Sequence, residues 1–504
     1  MAGRGVTVEA SFDFWTHLPA VIPELLLTVL AVVVLLLDLY WGKENRRNIA
    51  FVSAIGLAAI SVTPLIWGPS EQQVFWGGMV RYDLIAQIFK VMIIIGASIT
   101  CLMAADDSEV GRKGEFYLIV IVATLGATLI AASADLIMVF VGLETLSIPL
   151  YILAAFRRDD ERSSESGMKY FLFGAFSSGI MLYGFSLLYG FTGETNIYAL
   201  ADAFPAAVAD NPLPLIGALL MLLVGFGFKV SMVPFHFWTP DVYEGAPTPV
   251  TAYVSVASKA ASFALLVRVL LAVFPSTLVI GQENLQTLWV NLVSVLAIAT
   301  MTIGNVLALR QTNIKRLLAY SSIAQAGYVL IGVAAMQSQS DYSVASVAFY
   351  LLMYTFTNLG AFAGVIIFSE TTGSENIKDM GGLSRRNPWL ALGMTIAILS
   401  LAGIPPAAGF FGKFYLFTAA IKANMVLLAI IAVLNAIVAL YYYLVVIKVM
   451  YVDRSEYDSQ GIVLSRSTLW VIGLTSIAVL LLGTFGAQPF FDWATQGAQA
   501  LLAL

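Results

Sequence analysis

Four ionisable side chains stand where an apolar chain should have none: Glu144, Lys229, Lys259 and Lys413. Glu144 lies in VFVGLETLSIPLYIL (139–153), and Lys229 lies in GFGFKVSMVPFH (225–236). Lys259 sits in SVASKAASFALLVR, and Lys413 follows LAGIPPAAG (401–409). A charge at the centre of a bilayer costs about 2.5–3.5 kcal/mol on insertion scales, so four of them need pairing or a use. The use open to this set is proton transfer. Burial favours a neutral amine, a nearby carboxylate favours the ammonium, and a change in their separation would switch a lysine between holding and releasing a proton. The structural alternative is a buried Glu144–Lys229 ion pair that fastens two helices, a device that gains little but is costly to break.

Breaks in the chain accompany the lysines. Gly225, Gly227 and Pro234 flank Lys229, while Pro405, Pro406, Gly409 and Gly412 lead into Lys413. Non-helical backbone is tolerated inside a membrane only against protein or a water-filled cavity, and transporters place interrupted helices at their ion paths. Lys259 would be the intermediate carrier, with Ser255, Ser258 and Ser262 on its own helix face to hold water. Pairing of Lys259 to a nearby carbonyl or hydroxyl is an equal alternative. His236, after Pro234, could feed protons inward, or be an interfacial structural histidine.

The elements that must position these groups follow from composition. Of 504 residues, 59% are hydrophobic and 11% charged, against about 25% charged in soluble domains, so the chain belongs in lipid. The net charge of −5 carries little meaning here, because placement matters more than the sum. The apolar run at 18–39 contains Glu24 and Asp38 and reads as a retained helix, not a signal peptide. One cysteine (Cys101) and two histidines (His17, His236) are too few for iron–sulfur clusters or for a haem pair within the spans. No Walker-type or dinucleotide-binding motif occurs, so electron transfer and nucleotide hydrolysis are not expected of this polypeptide.

Hydropathy predicts an all-α polytopic membrane protein of about fourteen spans. They fall near 18–39, 49–68, 82–104, 115–133, 135–156, 167–190, 212–235, 249–273, 286–308, 317–336, 343–368, 388–420, 424–450 and 468–487. WGGMVRYD (76–83) reads as a short hairpin. Alternate loops carry Lys43, Arg46, Arg47; Arg112, Lys113; Arg157, Arg158, Arg162; Arg310, Lys315, Arg316; Lys378, Arg385, Arg386; and Lys448, Arg454, Arg466. The loops at 69–80, 191–211, 274–285 and 337–342 hold no lysine or arginine, so both termini are expected on the non-cytoplasmic side. Lys90, Lys169 and Arg268 are expected to snorkel from helix ends, Asp83 and Asp135 to cap helices or sit at the interface, and Lys315 and Arg316 to anchor the tenth span. The expected organisation is a three-helix segment (1–114), five-helix repeats at 115–273 and 286–450, and a C-terminal helix (451–504). Broken lysine sites on the seventh and twelfth spans lie five spans apart, which requires the second repeat to be inverted.

LETLSIPLYIL, GFKVSMVPFHFWTPDVYEGAPTPV, NIKRLLAYSSIAQAGY and AGIPPAAGFFGKFYLF resemble the antiporter-like membrane subunits of respiratory complex I. The likeness runs over nearly the whole chain, and the second passage is highly specific to that superfamily. The superfamily also includes subunits of multi-subunit cation/proton antiporters and membrane hydrogenases. Lysine at 413, where M-type subunits usually have glutamate, fits the N-type branch. The resemblance implies inverted five-helix repeats, a glutamate–lysine pair at Glu144 and Lys229, a connecting lysine at Lys259 and a terminal one at Lys413. It implies proton translocation in a bacterial plasma (inner) membrane, coupled to NADH–quinone chemistry outside this chain. No cofactor is expected here; FMN, iron–sulfur clusters and quinone belong to partner subunits. Implied partners are the M-type and small membrane-arm subunits, the peripheral redox arm and lipids, with no nucleic acid. The same four residues would serve a sodium/proton antiporter or membrane hydrogenase subunit, and a purely structural membrane subunit would tolerate neutral substitution at Glu144 and Lys413.

Overall fold

In lipid, a run of about twenty apolar residues can satisfy its backbone groups only as a helix or as part of a closed barrel. The computed structural model describes residues 14–42, 44–67, 73–208, 211–338, 341–456 and 461–502, so Lys43 lies outside the described residues. The chain is helical nearly throughout. Helices α1 (Ile22–Tyr40) and α2 (Arg47–Ser61) precede a hairpin of β1 (Gln73–Phe75) and β2 (Val80–Tyr82). There follow α3 (Leu84–Ala104), α4 (Gly114–Ala132), α5 (Leu136–Ala154), α6 (Glu161–Thr192), α7 (Leu213–Val230) and the short α8 (Trp238–Gly245). Next comes α9 (Thr248–Val273), then a second small hairpin of β3 (Val279–Ile280) and β4 (Glu283–Asn284). The chain continues through α10 (Leu285–Ala308), α11 (Ile314–Ala334), α12 (Asp341–Thr372), α13 (Pro388–Ala402), α14 (Ala408–Lys422), α15 (Val426–Tyr451), α16 (Arg466–Leu482) and α17 (Ala487–Leu502).

Among the described residues, twelve helices are long and apolar enough to cross a membrane, or thirteen if α16 and α17 count as one span. The expected hairpin is present, paired antiparallel with Gln73 opposite Tyr82 and Phe75 opposite Val80. The twelfth span is broken within 401–409 as expected: it is two 15-residue helices, α13 and α14, separated at Gly403–Ala407, where Gly403 has φ +85° and Pro405 and Pro406 follow it. One expectation needs correction: the single C-terminal helix is two, α16 and α17, bent by 78° across residues 483–486, where Gly483 and Gly486 interrupt the apolar run.

Three helices form the centre. The apolar window of α9 is 100% buried, and those of α11 and α12 are 94% buried, whereas α1, α6 and α15 are only 33% buried and carry the lipid-facing side chains. Close approach around this centre rests on small residues. A Cβ on Gly126 of α4 would come within 2.4 Å of the Leu146 backbone on α5, and one on Gly327 of α11 would come within 2.5 Å of the Met301 backbone on α10.

Helix ends follow local chemistry. Asp135 caps α5 by accepting from Ile137 N at 2.8 Å, as expected, and Asn313 caps α11 through Lys315 N at 2.8 Å. Asp106, in the turn between α3 and α4, accepts from the hydroxyls of Ser465 and Ser467 and from Arg47 at 2.5 Å, tying the start of α16 to the first helices. Burial alone would raise the Asp106 carboxyl, but those donors outweigh it and hold it below the usual carboxylate range.

Candidate proton path

Lys229 occupies the last turn of α7, where the chain leaves the helix through Ser231 in a left-handed conformation. The freed backbone groups are satisfied by protein. Met232 N donates to Gly227 O at 2.7 Å, Trp238 Nε1 donates to Phe228 O at 3.0 Å, and Val233 N donates to Thr300 Oγ1 on α10 at 3.0 Å. The Lys229 ammonium is buried, donates to Ser147 Oγ, and lies 5.9 Å from the centre of the Tyr151 ring and 5.6 Å from that of Phe228. Ser147 sits one turn beyond Glu144 on α5, so the lysine is held beside the glutamate and not against it. The direct Glu144–Lys229 ion pair of the structural alternative is absent within 4.0 Å. Glu144 is half-buried on the chain's outer surface, between exposed Val141 and Ile148, and its Oε1 has no hydrogen-bond partner.

Lys259 directly follows a π-helical turn, Val254–Ser258, inside α9. Such turns shift the backbone register by one residue and recur at functional positions. The ammonium donates to Ser322 O at 2.8 Å and Ser322 Oγ at 2.6 Å, on α11. The serines expected to hold water around it are committed elsewhere: Ser255 Oγ donates to Ala252 O at 2.6 Å and accepts from Asn358 Nδ2 at 2.6 Å, and Ser262 Oγ donates to Ser258 O at 2.8 Å.

Lys413 stands in the second turn of α14 and reaches back across the break. Its ammonium donates to Leu401 O at 2.9 Å and Ala402 O at 2.8 Å, the free carbonyls at the end of α13, where helix polarity favours a cation. Tyr328 places its ring centre 5.2 Å from the ammonium. His236 lies in the turn between α7 and α8, buried with Nδ1 unpartnered and its ring 4.7 Å from that of Phe237; no hydrogen bond or ion pair joins it to the other four residues.

The remaining basic residues separate cleanly from these. Lys90 does not snorkel: it is buried 2.9 Å from Glu24 Oε1 of α1 and donates to Ala20 O. Arg268 does not snorkel either. It is buried and holds Asp83 through two hydrogen bonds of 2.7 and 3.0 Å, with Arg81 on the same carboxylate at 3.1 Å. Asp83 thus caps α3 as expected, through Ala86 N at 2.8 Å, and it is fully buried. Lys315 is buried too, 3.2 Å from Glu375, while Arg316 binds Asp241 and Glu244 of α8 at 2.9 Å each. Lys169 is partly exposed and joins the same cluster at 2.6 Å from Asp241 and 2.7 Å from Glu165. Arg162, Glu165, Ser166, Lys169, Asp241 and Glu244 line a polar cavity of about 200 Å³ there. Lys229, Lys259 and Lys413, by contrast, have no carboxylate within ion-pair distance among the described residues.

Sequence reading missed the partners: Ser147, Ser322 and a line of polar side chains beyond Ser322. Tyr350, Tyr354 and Asn358 recur at every fourth residue along α12 and meet Gln325, Ser322 and Ser255. That spacing was the available signal. Among the described residues, no three His, Cys, Asp or Glu side chains gather as a metal site.

Comparison with known proteins agrees with this architecture. Residues 133–439 match the family described as NADH:quinone oxidoreductase/Mrp antiporter, TM. The chain is 44% identical over 446 residues to NADH-quinone oxidoreductase subunit N of Trichlorobacter lovleyi, covering 87% of this chain and 88% of that one. It superposes on a chain of respiratory complex I from Thermus thermophilus with a TM-score of 0.76 at 30% identity, over 93% of this chain and 98% of the other. A chain of the Mrp complex from Dietzia shares the fold, with a TM-score of 0.81 over 97% and 100% of the two chains, at 21% identity. The chain therefore belongs to the NADH:quinone oxidoreductase/Mrp antiporter membrane family, among the antiporter-like subunits of the subunit N kind.

Proposed function

We propose that this chain carries protons across the membrane as part of a proton-translocating NADH–quinone oxidoreductase, with Lys229, Lys259 and Lys413 as titrating carriers and Glu144 as the group that tunes the first of them. One observation carries the reading: buried Arg81, Lys90, Arg268 and Lys315 have carboxylate partners, and among the described residues these three lysines have none. A buried ammonium paired to a carboxylate is locked in its charged form, because losing the proton strands the partner. Lys229, Lys259 and Lys413 rest instead on hydroxyls and carbonyls, which a neutral amine can also satisfy. Each also stands at or beside a discontinuity in its helix. Glu144, on the outer face, is the place where a neighbouring membrane subunit would pass its signal to Lys229. His236 is a lesser candidate, for uptake from the polar cavity beside α8.

The finer architecture follows the same reading. Counting α13 with α14 as one broken span gives fourteen crossings, and the glycine-mediated pairs α4–α5 and α10–α11 open two five-helix repeats of opposite orientation, 115–273 and 286–450. Both termini then face away from the cytoplasm of a bacterial inner membrane. Flavin, iron–sulfur clusters and quinone sit in partner subunits, with M-type and small membrane-arm subunits alongside this chain. The test is Lys229→Ala in the whole enzyme. Proton pumping and coupled quinone reduction are expected to fall on the order of a hundredfold, the usual loss for a removed acid–base group, while NADH oxidation by a soluble acceptor persists. An unchanged proton-to-electron ratio and rate would remove Lys229 from the path.

A further inference from the structure

Between Lys259 and Lys413 runs a nearly continuous line of side-chain hydrogen bonds whose chemistry changes at one residue. Lys259 donates to Ser322 Oγ, which also accepts from Tyr354 OH at 2.9 Å and lies 3.3 Å from Tyr243 OH. One residue back, Ser321 Oγ lies 2.5 Å from Tyr443 OH. All of these are hydroxyls, which can accept one proton while releasing another.

Gln325, one turn further along α11, ends that pattern. It is buried, and every hydrogen-bonding direction shown for its amide is occupied. Tyr350 OH donates to Oε1, and Nε2 donates to Tyr443 OH at 3.1 Å and to Leu401 O at 3.1 Å. Leu401 O is the same oxygen that Lys413 holds at 2.9 Å. Two donors therefore converge on a carbonyl that carries no transferable proton. An amide can donate and accept hydrogen bonds but is neither a useful acid nor a useful base near neutral pH. Among the described residues, a proton on Tyr350 or Tyr443 has no hydroxyl route to Lys413.

We propose that Gln325 is the gate of the path's second half: a positioning residue that insulates Lys413 from Lys259 while its amide clamps Leu401 O and the two tyrosines, and that opens the step when it swings away. This rests on the lysine relay of the preceding section. In the open position a water molecule bridging Tyr350 or Tyr443 to Lys413 has the two or more polar partners that a buried water needs.

The test uses the complete enzyme in liposomes, normalised to NADH oxidation by a soluble acceptor, with Gln325→Leu and Gln325→Ala compared. Leucine fills the space and keeps it dry, so NADH-driven proton uptake should fall by about tenfold or more, with no rise in passive proton leak. Alanine leaves room for water, so the passive leak without NADH should rise several-fold and protons moved per NADH should drop. A merely structural glutamine would make the two variants alike, and an equal leak in both overturns the gate. Lys413→Gln in the same preparation separates the two readings. If it pumps normally, the relay itself is wrong, and the gate falls with it. If it is blocked while both Gln325 variants behave as wild type, the gate alone is wrong.

Discussion

At the scale of single residues, the distinction that matters is between a cation with a carboxylate and a cation without one. Lys413 shows the consequence. Its two acceptors are helix-terminal carbonyls, which a glutamine amide can also satisfy. Lys413→Gln is therefore expected to leave assembly and thermal stability close to wild type and yet abolish pumping; loss of assembly instead would make Lys413 a structural cap. The residues themselves were legible. A lysine in GFGFKVSMVPFH is visible in any hydropathy reading, and its isolation between Gly225 and Pro234 points to a helix break. What surrounds it was not legible: Ser147 lies 82 residues away in the chain and looks like any small residue of an apolar helix.

At the scale of elements, buried ion pairs and caps fix how the helices stand around the path. Arg268 shares α9 with Lys259, and its two hydrogen bonds to Asp83 fasten that helix to the start of α3. Arg268→Leu leaves Asp83 buried with Arg81 alone, and breaking one partner of a buried pair costs about 3–5 kcal/mol. The expected result is a lower temperature of thermal inactivation and less assembled enzyme, with Lys259 chemistry affected only through loss of the helix's position. In the turn between α3 and α4, Asp106 gives a pH signature. Its carboxyl is held below the usual range in the folded chain, so its stabilising contribution is complete above the ordinary carboxylate value of about 3.9 and is lost as pH falls through the folded value. Asp106→Asn should lower stability at neutral pH and flatten the fall in stability on acidification below about pH 4, as read by thermal inactivation across that range. The elements were mostly legible because period and length are local properties. The α13–α14 break was legible too, from Gly403, Pro405 and Pro406; the exception is the α16–α17 bend, where apolar composition continues across Gly483 and Gly486.

At the scale of the molecule, the alternation of basic and base-free loops makes a directional prediction. The sole cysteine, Cys101, is buried, so introduced cysteines can be read against a quiet background. Thr484→Cys, exposed at the α16–α17 bend, should react with an impermeant thiol reagent in intact cells, while Arg112→Cys should react only after the membrane is opened. The reverse pattern would invert the whole topology. Composition and periodicity by themselves determined that this chain lives in lipid, how its helices are spaced, and which few polar residues stand out within them. Those are local quantities, summed along the chain. Only the tertiary structure decided which buried cations meet a carboxylate and which meet hydroxyls and carbonyls instead. Arg268 meets Asp83 across 185 residues, and Lys259 meets Ser322 across 63. Identical lysines in similar apolar helices thus become an ion pair with Glu24 at Lys90 and a donor to the Ser322 hydroxyl and carbonyl at Lys259, because their partners arrive from distant segments and the membrane interior supplies none of its own.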